Sequence, residues 1–151
     1  LPQLMQLPLG QRIAINGSPY PVDDTCGIPR SIFQGTIDNL NGPSLHKFLR
    51  RMCNDTPSFR EFLAVTPRRP LEEIGEELVS VQLQVQTQQR KGEAPLPLWQ
   101  KAIVGNNDRI IPPANQLNAW QQLQVPVWHD EHAHYHEPLF RHYLQDLWTN
   151  N

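Results

Sequence analysis

Apolar positions along this chain follow two rhythms, and the change between them divides it into three stretches. Arg12-Ile13-Ala14-Ile15-Asn16 is a short β-rich run closed by Gly17-Ser18-Pro19. That pattern predicts a buried strand leaving a sheet into a loop over Tyr20 to Pro29. From Ser44 the rhythm turns helical: Leu45, Phe48, Leu49 and Met52 recur at three- and four-residue steps, with Lys47, Arg50 and Arg51 on the other faces. A second short helix is expected after Pro57, carrying Phe59, Phe62 and Leu63. A third runs from Pro70 to about Gln89. Its stripe is Leu71, Ile74, Leu78 and Val81, and Glu72 and Glu73 sit in the first turn, where the helix dipole favours acids. Lys91 to Pro97, rich in Pro and Gly, reads as a loop back to the core.

Beyond that loop, Leu98 to Val104 is a predicted strand running into Gly105-Asn106-Asn107-Asp108. Pro113 opens a helix through Leu117, Trp120 and Leu123, Val125 to Trp128 is a second strand, and Glu137 to Trp148 is a closing amphipathic helix. Strand, helix, strand and helix in alternation predict an α/β fold with a parallel sheet and flanking helices. The organisation is therefore residues 1–43, 44–97 and 98–151: strand and loop, helical insertion, and α/β core. Leu1 to Gly10, broken by Pro2, Pro8 and Gly10, reads as the tail of a helix whose body lies upstream.

Composition narrows the function classes. A formal net charge of -2 supplies no global field to attract nucleic acid or an acidic membrane surface. No apolar run approaches the roughly 20 residues that span a bilayer. Cys26 and Cys53 are too few for a disulfide framework and lack metal-type spacing, which fits a cytoplasmic protein. A chain starting at Leu1 without a signal peptide is expected to have lost upstream residues.

Two sites lie just beyond the C-terminal ends of predicted parallel strands, where open α/β sheets place their ligands. Asp108 follows the first; His129-Asp130-Glu131-His132-Ala133-His134-Tyr135-His136 follows the second. Acid then histidine is the order that completes an α/β-hydrolase triad, in which an imidazole takes a proton from a serine and a carboxylate orients the ring. Taken alone, Asp108 in a Gly-Asn-Asn-Asp loop reads first as a turn aspartate. The histidine cluster also admits a metal-binding protein, although no cysteine or second histidine group completes a ligand set. No serine sits in a G-x-S-x-G elbow, and Ser18 is followed by Pro19, which lacks the N–H an oxyanion hole needs. Five arginines, Arg50, Arg51, Arg60, Arg68 and Arg69, gather in the helical insertion, either as a solvated face or as a surface for an acidic partner.

Several segments resemble a known family. Val104 to Pro113 resembles the acid loop of α/β-hydrolases, and Glu131 to Tyr135 resembles their histidine segment, with the usual glycine replaced. Ala14 to Pro19, Gly27-Ile28-Pro29, Phe33 to Thr36, Lys47 to Cys53 and Pro113 to Gln116 look like BioG-type pimeloyl-acyl-carrier-protein methyl ester esterases. The resemblance implies the C-terminal portion of an α/β-hydrolase, with residues 44–97 as a helical cap. It also implies a cofactor-free, metal-free serine carboxylesterase of biotin precursor synthesis. Asp108 then matches the triad acid and His134 the base, with His132 and His136 as alternatives. Acyl-carrier protein is the implied partner, with Arg50 and Arg51 as candidate docking residues. The nucleophile would lie in a missing N-terminal segment, so this chain alone is expected to be inactive. The other readings are a non-catalytic fragment or carrier-protein-binding module, and the metal-binding protein.

Overall fold

A computed structural model of the chain describes residues 11–92 and 99–149. The expected helix tail at Leu1 to Gly10 and the strand start at Leu98 lie outside the described residues. Three strands, β1 (Ile13–Ile15), β2 (Lys101–Gly105) and β3 (Val127–Asp130), form one sheet in the order β1-β2-β3. Both pairings are parallel, with Ala14 opposite Ala102 and Ile103 opposite Trp128. Central β2 is buried on both faces: Ala102 and Val104 are 0% exposed and Ile103 is 2%. A strand covered on both sides reads as a continuous apolar run, as 102–104 does.

Four helices intervene between β1 and β2 in sequence: α1 (Arg30–Asp38), α2 (Gly42–Arg51), α3 (Thr56–Val65) and α4 (Leu71–Lys91). The helix α1 was not expected, so helical structure begins at Arg30, ahead of Ser44. Its sequence hides it: Phe33 is its one buried side chain, Gly35 weakens its interior, and Pro29 at the cap offers no side-chain hydrogen bond. By contrast, α2 and α3 begin on local signals. Asn41 and Ser44 exchange side-chain-to-backbone hydrogen bonds of 2.9 and 2.8 Å, and the Asp55 carboxylate accepts from the Ser58 N–H at 2.8 Å. On α4 the half-buried stripe takes in Ile74, Leu78 and Val81, but Leu71, expected on it, is 39% exposed.

After β2 come α5 (Pro113–Gln122), β3 and α6 (Glu137–Thr149). The strand β3 runs over Val127–Asp130 and not from Val125 to Trp128. Pairing of Val104 with His129 and of Gly105 with Asp130 extends it into residues whose polarity suggested a loop. Likewise β2 starts at Lys101, two residues beyond Trp99, and reaches Gly105.

Trp120 of α5 anchors the core, 1% exposed among Ala14, Ala102, Val104 and Val125. Its indole N–H donates to the Gly17 carbonyl at 3.1 Å, tying α5 to the end of β1, and Trp99 meets it edge-on at 6.2 Å. The loop between β1 and α1 lies along the same helix: Asn115 donates to the Gly27 carbonyl at 2.8 Å and Asn118 to that of Thr25 at 3.1 Å. Truncating the indole should therefore cost much more than its hydrogen bond. Trp120→Ala is expected to lower stability by about 3–5 kcal/mol, and Trp120→Phe by about 1 kcal/mol for the lost N–H contact. Urea unfolding of the two variants checks the difference; equal losses would mean that packing is not what Trp120 contributes.

Candidate active site

The C-terminal ends of β1, β2 and β3 meet at one sheet edge, and the polypeptide leaving β2 and β3 carries the two residues singled out in the sequence. Asp108 follows a turn closed by its own N–H on the Gly105 carbonyl, at 3.1 Å. Its side chain is 0% exposed. A buried carboxylate is tolerated only when its lone pairs find donors. Here the backbone N–H groups of Ile110 and Ile111 donate to Oδ1 at 2.8 and 3.1 Å. Oδ2 accepts from Gln116 Nε2 at 2.8 Å and from His134 Nδ1 at 2.9 Å.

That last contact defines the chemistry available. Because Oδ2 is an acceptor, Nδ1 of His134 carries the proton, and Nε2 is left with its lone pair. The imidazole is 22% exposed, so it sits at the surface end of a buried couple. Of the three histidines considered as base, only His134 contacts Asp108. His132 is 1% exposed, with its Nδ1 2.9 Å from the Ala133 carbonyl, and stacks on His136 at 5.4 Å and 11°. Among the described residues no three His, Cys, Asp or Glu side chains converge to hold a metal ion.

The two loops are joined directly. Asn107 donates its N–H to the His132 carbonyl at 3.1 Å and Asn106 to that of Asp130 at 2.8 Å, while the Asn106 side chain reaches Glu131 at 2.6 Å. Gly105 makes this approach possible: a Cβ there would stand 2.5 Å from both Nδ1 and the carbonyl oxygen of His132. Gln116 and Asn16 are the participants that sequence reasoning missed. Gln116 lies in the first turns of α5, in a segment that the sequence marked only by its family resemblance; Asn16 was read as the end of the β-rich run, with no role assigned.

The histidine loop also touches the helices. The Tyr135 N–H donates to the Met52 carbonyl at the end of α2, at 2.8 Å, and its ring lies 4.5 Å from that of Phe62 on α3. Burial pushes the Tyr135 phenol up, with help from Glu137, and pushes the Cys53 thiol up despite the Arg50 cation, so both are uncharged at neutral pH. Ser18 is committed elsewhere: its hydroxyl donates to the Cys26 carbonyl and accepts from the Tyr20 N–H at 3.0 Å. Arg50 is drawn into the corner between α2 and α3, reaching the Asp55 carbonyl at 3.4 Å and stacking over Phe59 at 5.5 Å, whereas Arg51 lies over Phe48 at 5.9 Å.

Comparison with known proteins places this architecture. A family profile described as pimeloyl-ACP methyl esterase BioG matches residues 3–145. The chain belongs to the BioG family. The crystal structure of BioG from Haemophilus influenzae is similar to it, with a TM-score of 0.75 and 37% sequence identity, covering 88% of this chain and 60% of that one. Over 147 residues the chain is 37% identical to an uncharacterised protein of Haemophilus influenzae, covering 97% of this chain and 66% of the relative. It is also 46% identical, over 140 residues, to a malonyl-[acyl-carrier protein] O-methyltransferase of Bacteroides fragilis, covering 91% of this chain but 27% of that protein. The chain thus spans about a quarter of one curated relative and about two thirds of the other. The α/β fold and the BioG resemblance of the sequence are both met. No helix of the described residues is long and apolar enough to cross a membrane.

The close contact at Gly105 sets a test of how the two loops are joined. Gly105→Ala must displace His132, and overpacking of this kind is expected to cost about 1–3 kcal/mol. Denaturant unfolding would measure it; an unchanged midpoint would show that the two loops are not locked at this point.

Proposed function

We propose that this chain is the C-terminal part of a serine carboxylesterase that hydrolyses the methyl ester of pimeloyl-acyl-carrier protein, supporting biotin precursor synthesis. The hydrogen bond from His134 Nδ1 to buried Asp108, at 2.9 Å, is the observation that carries the reading, together with membership of the BioG family. The nucleophilic serine belongs to a part of the enzyme outside this chain. Its oxygen attacks the ester carbonyl as His134 Nε2 takes the hydroxyl proton, and Asp108 stabilises the imidazolium. His134 returns that proton to the departing methoxide, giving methanol and an acyl-enzyme. Water, deprotonated by the same nitrogen, then releases the free acid and restores the serine. The helices α1–α4 serve as a cap over this site, in contact with the histidine loop through Met52 and Phe62. The methyltransferase name of the Bacteroides relative belongs to a protein nearly four times the matched length, and the acid–histidine couple favours ester cleavage for this segment.

Acyl-carrier protein is the substrate carrier, recognised by cations of α2. Arg51 and Lys47 line a largely apolar cleft of about 480 Å³ between α1, α2 and α4, and its lining contains no acidic side chain. Arg50, held at its corner by Asp55 and Thr56, contributes to helix packing.

In the full-length enzyme, Asp108→Asn should lower kcat about 10⁴-fold by losing the tautomer that frees Nε2, and His134→Ala on the order of a millionfold. Steady-state hydrolysis of the carrier-linked methyl ester measures both; retention of wild-type kcat by either variant would remove the proposal. Arg51→Ala should raise KM for the carrier-linked substrate about tenfold while leaving a small methyl ester unaffected. Arg50→Ala should instead impair both substrates alike, and the reverse pattern would exchange their roles.

A further inference from the structure

The Asn16 side chain bonds to the chain leaving both β2 and β3, and nothing in the proposed chemistry uses it. It is 4% exposed, at the end of β1, with φ 47°. Its backbone N–H donates to the Ile103 carbonyl at 2.9 Å, adding one more rung to the sheet. Its side chain then bridges the other two strand ends: Oδ1 accepts from the Gly105 N–H at 2.8 Å, and Nδ2 donates to the carbonyls of Ala133 and His134, both at 2.9 Å.

These partners fix the amide orientation. Gly105 N–H can only donate and the two carbonyls can only accept, so the atom facing Gly105 is oxygen and the atom facing the histidine loop is nitrogen. With both amide hydrogens engaged, His132, whose Nδ1 lies 3.2 Å from Nδ2, donates from Nδ1 to the Ala133 carbonyl. No other side chain of this size accepts once and donates twice. Aspartate lacks the donors, and leucine has neither function. The positive φ adds a second demand, since asparagine is among the few non-glycine residues that tolerate the left-handed region.

We propose that Asn16 is the positioning residue of the base: it holds the His134 carbonyl, and through it the imidazole, at hydrogen-bonding distance from Asp108. The assignment rests on the reading of Asp108 and His134 as acid and base. The segment between β3 and α6 has no regular structure of its own. Two of its carbonyls are bound by one amide that is itself clamped to β2. A base placed in this way is preorganised by the sheet, and a shift of about 1 Å in such a group costs on the order of a hundredfold in rate.

Asn16→Asp keeps the shape and the acceptor for Gly105 but sets a carboxylate oxygen against two carbonyls. Asn16→Gly keeps the backbone conformation and removes the bridge without burying charge. In the full-length enzyme each is expected to lower kcat about 100-fold with KM nearly unchanged. In proton spectra of isotope-labelled histidine, each should also abolish the low-field Nδ1 signal that Asp108→Asn removes. Val125→Ala, a core truncation away from the site, serves as the stability control and should lower the Tm without either effect. The proposal is overturned if both Asn16 variants keep kcat, if the low-field proton survives in them, or if Val125→Ala at an equal loss of Tm reproduces both changes. The proton signal does not depend on the substrate. If no ester is turned over while the signal still disappears in both Asn16 variants, the esterase reading fails and the positioning role stands.

Discussion

Parallel pairing of β2 with a strand on either side is the constraint on which the site depends. In a parallel ladder all strands point the same way, so their C-terminal ends, and the loops that leave them, emerge at one edge. The observed register places Ile15 beside Ile103 and Gly105 beside Asp130. A one-residue slip of β3 would turn its side chains to the opposite face and carry the histidine loop with it. The backbone bonds from Asn106 and Asn107 to the chain beyond β3 would break at the same time. The strand register therefore sets the distance between Asp108 and His134.

Holding that register leaves a dense polar interior at the sheet edge. Asp108, Gln116, Asn16 and His132 are all buried, and such a cluster is stable only if its members satisfy one another. Most do: the carboxylate of Asp108 accepts four hydrogen bonds, and the amide of Asn16 engages three backbone groups. Gln116 Oε1 and His132 Nε2 have no hydrogen-bond partner among the described residues. Apolar packing continues along α5, where Trp120 closes the core against Ala102 and Val104.

The helices between β1 and β2 are coupled to the site through few contacts. Met52 and Phe62 meet Tyr135, the residue beside His134, and the buried Cys53 lies at the same end of α2. Burial raises the pKa of both the phenol and the thiol, so neither side chain is itself charged at neutral pH. The positive groups Lys47 and Arg51 lie instead along the cleft toward α1 and α4. Proton transfer and partner recognition, as proposed, are thereby kept apart, with α2 contributing to both.

Elements with a strong local signal were legible in the sequence. The apolar run at 102–104 and the helical periodicity of α2 and α4 depend on neighbours a few residues away. The order of Asp108 and the histidines after successive parallel strands was likewise readable, because chain direction alone puts them at one edge. The sequence left three histidines open, and only tertiary structure separated them: Gly105 admits His132 into the interior, which leaves His134 facing Asp108. The length of β3, the existence of α1 and the bridging amide of Asn16 were decided in the same way. Each depends on partners outside its own segment, on the pairing of β2 with β3, on one buried ring, or on groups about a hundred residues from Asn16, and no local propensity records such contacts.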